Sequence, residues 1–296
     1  MSVIAPARSR APLREAIADY VSLTKPRIIG LLDATALAAM VAAGHGRAHL
    51  TTVAAVLVGG SLAAGGAHSI NCWYDRDIDR VMTRTTARPV PAGRIPAWHA
   101  LTLGVVFNSV AFVVLWAWAN LLAAGLAMLA SAIYVGVYTM WLKRATPQNI
   151  VIGGASGAIP PLVGWAAATG SLDWTALGLF LVIFLWTPTH FWALAQLGRR
   201  DYERAGVPMM PVVRSLLATK RQSLVYACLT AAASLIPFAT GAVGFGYLVG
   251  AVLLGAGFVG ISTLDLLRSG WTRRVFAFSI VYLAVLFTLF ALSATF

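Results

Sequence analysis

Long apolar runs separated by short polar segments fill almost the whole chain. They lie near 28–44, 50–74, 98–118, 121–142, 149–168, 174–196, 223–241, 245–266 and 274–295. Each comes close to the ~20 residues that a helix needs to cross a hydrocarbon core. The pattern predicts an all-α polytopic membrane bundle of nine transmembrane helices. It is a single integral-membrane domain over 1–296, with 1–24 as a cytoplasmic N-terminal tail. Pro160, Pro161 and Pro188 fall inside runs and predict breaks or kinks. Residues 1–14 hold Arg8, Arg10 and Arg14, and no apolar stretch precedes residue 28, so they do not read as a secretory signal. An Arg-rich start without acids also suits a short mitochondrial presequence. Its shortness favours a bacterial cytoplasmic tail, and with it a bacterial inner membrane.

Composition sharpens this picture. Of 296 residues, 59% are hydrophobic and 11% charged, against about 25% charged in a soluble domain. A soluble domain, a disordered chain and a nucleic-acid-binding module are excluded, so no nucleic-acid partner is expected. The net charge of +12 is a matter of topology. Of 22 Lys and Arg residues, 21 fall in alternate gaps between the runs, and the opposite gaps hold only Arg47. The positive-inside rule then puts the N-terminus in the cytoplasm and the C-terminus on the far side. Trp98, Trp116, Trp118, Trp141, Trp174 and Trp271 lie near run ends, where interfacial aromatics belong. Cys72 and Cys228 have no metal-ligand spacing and read as buried structural thiols.

Two gaps, 75–97 and 197–222, are longer than connection requires, and both lie on the basic face. They hold five of the ten acids: Asp75, Asp77, Asp79, Asp201 and Glu203. Asn71, Asp75 and Asp79 are spaced i, i+4, i+8, one polar stripe on a helix leaving the second run. Carboxylates at membrane depth are costly and mark function. Mg²⁺ takes oxygen ligands, keeps waters, and uses one or two carboxylates together with substrate phosphates. The stripe therefore predicts a metal site at Asn71, Asp75 and Asp79 that holds a diphosphate, with Arg and Lys neutralising the remaining charge. Solvated charges pairing among themselves are the bland alternative.

The stretch Asn71-Cys-Trp-Tyr-Asp75-Arg-Asp77-Ile-Asp79-Arg-Val-Met-Thr-Arg84 resembles the first aspartate motif of intramembrane UbiA-type prenyltransferases. The resemblance is narrower still with the branch that acts on heme. Leu23-Thr-Lys-Pro-Arg27, Arg88-Pro-Val-Pro-Ala-Gly-Arg94, Leu142-Lys-Arg-Ala-Thr-Pro-Gln-Asn149, Gly153 through Pro161, Thr189-His-Phe-Trp-Ala-Leu-Ala195 and Asp201 through Pro211 carry it. Together these motifs span about residues 20–215. Many family members have an Asp-x3-Asp second motif. Here the corresponding loop offers Asp201 and Glu203 at i, i+2, which leaves a second Mg²⁺ open.

The resemblance implies a nine-helix bundle and Mg²⁺ as cofactor. It implies transfer of the farnesyl group of farnesyl diphosphate to a vinyl group of heme B, giving heme O. The implied partners are the two substrates, the lipid bilayer, and heme A synthase or cytochrome oxidase assembly factors. The implied catalytic set is Asn71, Asp75, Asp79, Asp201 and Tyr202. Lys25, Arg27, Arg88, Lys143 and Arg144 are the expected diphosphate clamp, although Lys25 and Arg27 also suit a topology anchor. His190 is the first expectation for heme contact and His68 the second; a satisfied core histidine is the alternative for each. Tyr74, Tyr138 and Tyr202 are expected to face an allylic cation. Asp33, one turn into the first run, calls for a basic partner, and Asp173 and Asp265 read as solvated run ends. Gly59, Gly60, Gly65, Gly66, Gly153, Gly154 and Gly157 predict close helix packing, close ligand approach, or both. The competing functions are prenylation of a quinone precursor, disfavoured by the 142–149 and 189–195 motifs, and a transporter or channel. One-sided charge and the lack of an internal repeat argue against transport.

Overall fold

The computed structural model describes residues 12–295, so Arg8 and Arg10 lie outside the described residues. Among these residues nine helices are long and apolar enough to cross a membrane: Pro26–Ala43, Leu50–Tyr74, Ala97–Trp118, Leu121–Ala145, Asn149–Thr169, Trp174–Leu197, Leu216–Ala239, Phe245–Leu267 and Thr272–Ala294. Short connections make successive spans antiparallel, so the loops 75–96 and 198–215 share one face. The second and third spans approach closely because a side chain is missing on both. A Cβ on Gly66 would come 2.8 Å from the Gly104 carbonyl oxygen, and one on Gly104 would come 2.7 Å from that of Gly66. Such contact takes the place of the hydrophobic drive that lipid removes. Trp98, Trp116, Trp118, Trp141 and Trp174 are exposed at span ends, as the interface requires.

Several elements differ from expectation, each for a local reason. The seventh span starts at Leu216 rather than near 223. Ser215 caps it by accepting from the Ala218 amide at 3.1 Å. Lys220 lies inside the helix because Asp265 accepts from its ammonium at 3.0 Å. Asp265 is therefore buried and paired, not solvated. Asp173 caps the sixth span through the Ala176 amide. Pro160 does divide the fifth span, into Asn149–Ala158 and Pro160–Thr169. Pro188 leaves the sixth span unbroken. Asp33 meets the Ser61 hydroxyl at 2.7 Å instead of a basic partner. Cys72 is buried as expected, but Cys228 is exposed.

Part of the expected tail is a helix, Leu13–Thr24. Leu13, Ile17 and Val21 form an exposed apolar stripe on it, while Leu23 is buried against the bundle. Asp19 accepts from Arg94 at 2.8 Å, and Tyr20 bonds His99, so its polar side is tied to the loop after the second span and to the first turn of the third. An amphipathic helix of this kind lies in the membrane interface. The alternation of charge predicts that a reporter fused after Phe296 is active only on the far side of the membrane. Cytoplasmic activity would mean that the span count is wrong.

Candidate active site

The second span ends at Tyr74, Asp75 closes its last turn, and the short helix Arg76–Val81 carries the chain on. The Asp75 amide bonds the Asn71 carbonyl at 2.9 Å, and the Asp79 amide bonds that of Asp75 at 2.8 Å, so the i, i+4 register continues through the turn. Asn71, Asp75 and Asp79 are 3%, 1% and 2% exposed, too little for a solvated charge network.

Basic side chains converge on this stripe. Asn71 donates from Nδ2 to Asp75 Oδ2 at 2.6 Å and to Thr139 Oγ1 at 3.1 Å, and its Oδ1 accepts from Lys25 at 2.9 Å. Lys143 pairs with Asp75, and Arg88 donates to Asp79 at 2.8 Å. Lys25 is the left-handed residue between the Leu13–Thr24 helix and the first span, with φ 55° and ψ 60°. That conformation strains a non-glycine residue by about 1–2 kcal/mol, and here it turns the ammonium inward. Burial lowers the pKa of Lys25, and Arg88 adds to this, while Asp79 and Asp75 oppose it only in part.

Lys143 arrives on a different kind of helix. Residues Ile133–Leu142 of the fourth span form a π-helix. Its wider turn puts Tyr134, Tyr138, Thr139 and Lys143 on one side. The Tyr134 and Tyr138 rings stack 5.6 Å apart. Tyr134, Tyr138 and Lys143 border a chamber of about 320 Å³ whose polar end is also lined by Lys25, Asn71, Asp79, Arg84, Arg88 and Tyr202, while Thr139 supports Asn71 from behind that wall. An apolar chamber of about 170 Å³ adjoins it deeper in the bundle, and Ile28, His68, Tyr134, Ser156 and Gly157 line both. A charged headgroup fits the first and a hydrocarbon chain the second.

One atom bears on a metal. Asp75 Oδ1 is buried and accepts no hydrogen bond; Lys143 is bonded to the other oxygen of the carboxylate, and Arg144 stands 3.7 Å from Oδ1. Such an orphan is costly unless a ligand completes it. Among the described residues no three His, Cys, Asp or Glu side chains converge. The donor set suits a hard cation that takes most of its ligands from water and phosphate.

Five expected residues are not brought to the chamber, and Asp75 adjoins it only through Asn71 and Lys143. Arg27 is exposed on the far side of Pro26 from it. Arg144 stands outside, bidentate to Asp77 at 2.7 and 2.8 Å and 5.0 Å above the Tyr74 ring, so Tyr74 also faces away. Arg144 holds the Asp77 carboxyl down at about 2. His190 lies in the seam between the sixth and ninth spans, stacked between Trp186 and Phe276, with Nδ1 bonded to Ser279 Oγ at 2.7 Å. Asp201 does not line the chamber either. Its carboxylate accepts from the Thr83 and Arg84 amides at 3.1 and 3.4 Å and from Arg204 at 2.5 Å. Arg84 in turn donates to the Tyr202 hydroxyl at 2.5 Å, with its guanidinium 4.8 Å over the ring. The two long loops are thus clasped over the site.

The model of the UbiA prenyltransferase family matches residues 32–280. The chain belongs to the UbiA prenyltransferase family. It is 50% identical over 298 residues to the protoheme IX farnesyltransferase of Symbiobacterium thermophilum, a match covering 99% of each chain. Its fold is that of a digeranylgeranylglyceryl phosphate synthase, with TM-score 0.79 at 17% identity over 95% of this chain and 99% of that one. It is also that of a UbiA homologue from Archaeoglobus fulgidus bound to GPP and Mg²⁺, with TM-score 0.65 at 16% identity over 92% of this chain and 99% of that one. In this UbiA-family site, sequence reasoning missed Thr139, Tyr134 and Arg84. Thr139 and Tyr134 sit in an unbroken apolar run whose pattern does not distinguish a π-helix from an α-helix. Arg84 reads in the sequence as one of several flanking charges. Its place depends on the Asp201 clasp, which forms across more than 110 residues of chain.

Proposed function

We propose that the chain transfers the farnesyl group of farnesyl diphosphate to a vinyl group of heme B, giving heme O and diphosphate. The observation that carries this reading is the buried Asn71–Asp75–Asp79 stripe: Asn71 and Asp79 line the basic end of an apolar chamber, and Asp75, bonded to Asn71, keeps one carboxylate oxygen without a hydrogen bond. The name of the Symbiobacterium relative supports the acceptor.

In this reading Asp75 and Asp79, with Asn71, hold Mg²⁺, which when bound would neutralise charge on the diphosphate. Lys25, Lys143, Arg84 and Arg88 bind the remaining phosphate oxygens and favour departure of the leaving group, because their charge is preorganised where charge develops. The bond from C1 of the farnesyl group to the diphosphate oxygen breaks with both electrons going to oxygen. Tyr134, Tyr138 and Tyr202 present ring faces to the allylic cation. The outer vinyl carbon attacks C1. Water then adds to the inner vinyl carbon and releases a proton, leaving the hydroxyethylfarnesyl substituent. The reaction occurs at the porphyrin edge, and no step of it passes through the iron. Heme A synthase or cytochrome oxidase assembly factors are the partners this function implies, in a bacterial inner membrane.

Asp201 is proposed as a positioning residue, which leaves one carboxylate pair and one Mg²⁺. Replacement by Ala should raise the KM for farnesyl diphosphate about tenfold, the scale of one charge-assisted hydrogen bond lost, with a smaller change in kcat. Steady-state kinetics of the Asp201→Ala enzyme check this. A collapse of kcat at unchanged KM would return Asp201 to the metal. The function itself is tested by mass spectrometry after incubating purified protein with heme B, farnesyl diphosphate and Mg²⁺. A product heavier than heme B by one farnesyl group plus one hydroxyl is expected, and its absence while a quinone precursor is prenylated would overturn the acceptor.

A further inference from the structure

His68 and the turn at residues 23–25 make an arrangement that the reaction scheme leaves unused. The second span presents Gly65, His68, Asn71 and Cys72 to that turn. Gly65 admits it: a Cβ there would come 3.1 Å from Thr24 Cβ. His68 Nδ1 lies 2.9 Å from the Thr24 carbonyl oxygen. A carbonyl can only accept, so Nδ1 carries the proton in this contact. Cys72 Sγ makes a long contact of 3.9 Å with the Leu23 carbonyl oxygen. Lys25 Nζ reaches Asn71 Oδ1 at 2.9 Å. The carbonyl that His68 holds belongs to the peptide joining Thr24 to Lys25, the residue at φ +55°. His68 is 6% exposed, and its ring meets Tyr134 edge-on at 5.3 Å, so it has little freedom to turn away.

We infer that His68 is a positioning residue: its Nδ1–H, bonded to the Thr24 carbonyl, fixes the peptide before Lys25 in the left-handed turn that aims the Lys25 ammonium at the diphosphate. A left-handed lysine relaxes readily to right-handed or extended backbone when nothing opposes it. Either change swings the side chain away from Asn71, because the turn is only one residue long between two helices. The hydrogen bond to Thr24 opposes that relaxation from a rigid span. Supporting residues of this kind set the precision of a binding site without touching its ligand. The inference rests on the proposed function only in taking the basic chamber to bind diphosphate.

The test compares three replacements in the full-length protein in detergent, with inorganic diphosphate as a competitive inhibitor. Asn at position 68 offers an N–H close to the place of Nδ1, Gln offers one nearer that of Nε2, and Leu offers none. His68→Leu and His68→Gln should each raise the inhibition constant of inorganic diphosphate and the KM for farnesyl diphosphate about tenfold, with kcat changed far less. His68→Asn should recover most of that loss. The heme Soret band should be the same in all four proteins. Diphosphate affinity equal to wild type in His68→Leu overturns the inference. If that variant does not fold, recovery by Gln and not Asn overturns it, because the ring would then act through Nε2. A changed Soret band with diphosphate affinity intact also overturns it, in favour of iron contact. Failure of the wild-type protein to bind inorganic diphosphate would overturn the proposed function beneath it, and that control separates the two failures.

Discussion

Replacing Asp75 by Asn is expected to lower kcat by about 10²–10³-fold or more, the scale set by loss of one preorganised electrostatic contact to a reacting charge. The replacement keeps size and shape and removes only charge. The carboxylate is 1% exposed and has two distinct oxygens. Oδ2 is fully used, by Asn71 and Lys143. Oδ1 is buried with no hydrogen bond. A fold selected for stability alone would pair that oxygen or replace it, because a bare buried acceptor costs about 1–3 kcal/mol. Its retention points to a ligand that completes it, and functional sites commonly carry such a stability cost. The Asp75→Asn protein should still elute as a folded species in detergent, with a melting midpoint lowered by loss of the buried ion pair to Lys143. Asp79→Asn should lose turnover on a similar scale; it loses the ion pair to Arg88 as Asp75→Asn loses that to Lys143. Turnover is to be followed at saturating Mg²⁺. Near-normal rates for either variant would remove these two carboxylates from the metal site.

What the sequence revealed and what it hid divide along physical lines. The spans were legible because hydropathy and charge are properties of the chain, and a membrane sorts them without help from tertiary contacts. The carboxylate stripe was legible because i, i+4 spacing survives in any helix, and here it survives the turn at Asp75. Direction was not legible. Lys25 and Arg27 flank the same proline, yet one backbone conformation turns the first inward and leaves the second exposed. Lys143 and Arg144 are neighbours, but the π-helix before them brings Lys143 into hydrogen-bond contact with Asp75 and into the chamber, while Arg144 closes on Asp77 outside and stands 3.7 Å from Asp75. His190 occupies a prominent motif and still faces the ninth span, because Ser279 and Phe276 offer its ring a hydrogen bond and a stack there. In each case the deciding partner is distant in sequence, so no local pattern could announce it.

The largest stability effect is expected far from the chemistry, at Gly164. The second half of the fifth span crosses the first span there. A Cβ built on Gly164 would lie 1.9 Å from the Ala36 carbonyl oxygen, 2.7 Å from its carbon and 3.1 Å from Ala36 Cα. All three atoms are backbone, so no rotamer change can relieve the clash, and the two helices must separate by more than an ångström. Overpacking of this kind costs about 1–3 kcal/mol, at times more, and the close contact it destroys is what holds helices together in lipid. Gly164→Ala should thus lower the melting midpoint in detergent clearly and reduce the yield of folded protein. Gly157, on the same span, has nothing within 4 Å of its Cβ direction, so Gly157→Ala should leave the melting midpoint unchanged. Equal midpoints for the two variants would contradict this backbone contact between Gly164 and Ala36. The first span also carries Ile28, Asp33 and Ala36 to the wall of the apolar chamber, which Val163 lines beside Gly164. Whatever Gly164→Ala protein does fold should therefore hold a farnesyl chain less well, with a raised KM for farnesyl diphosphate, even though Gly164 is not among the residues lining either chamber.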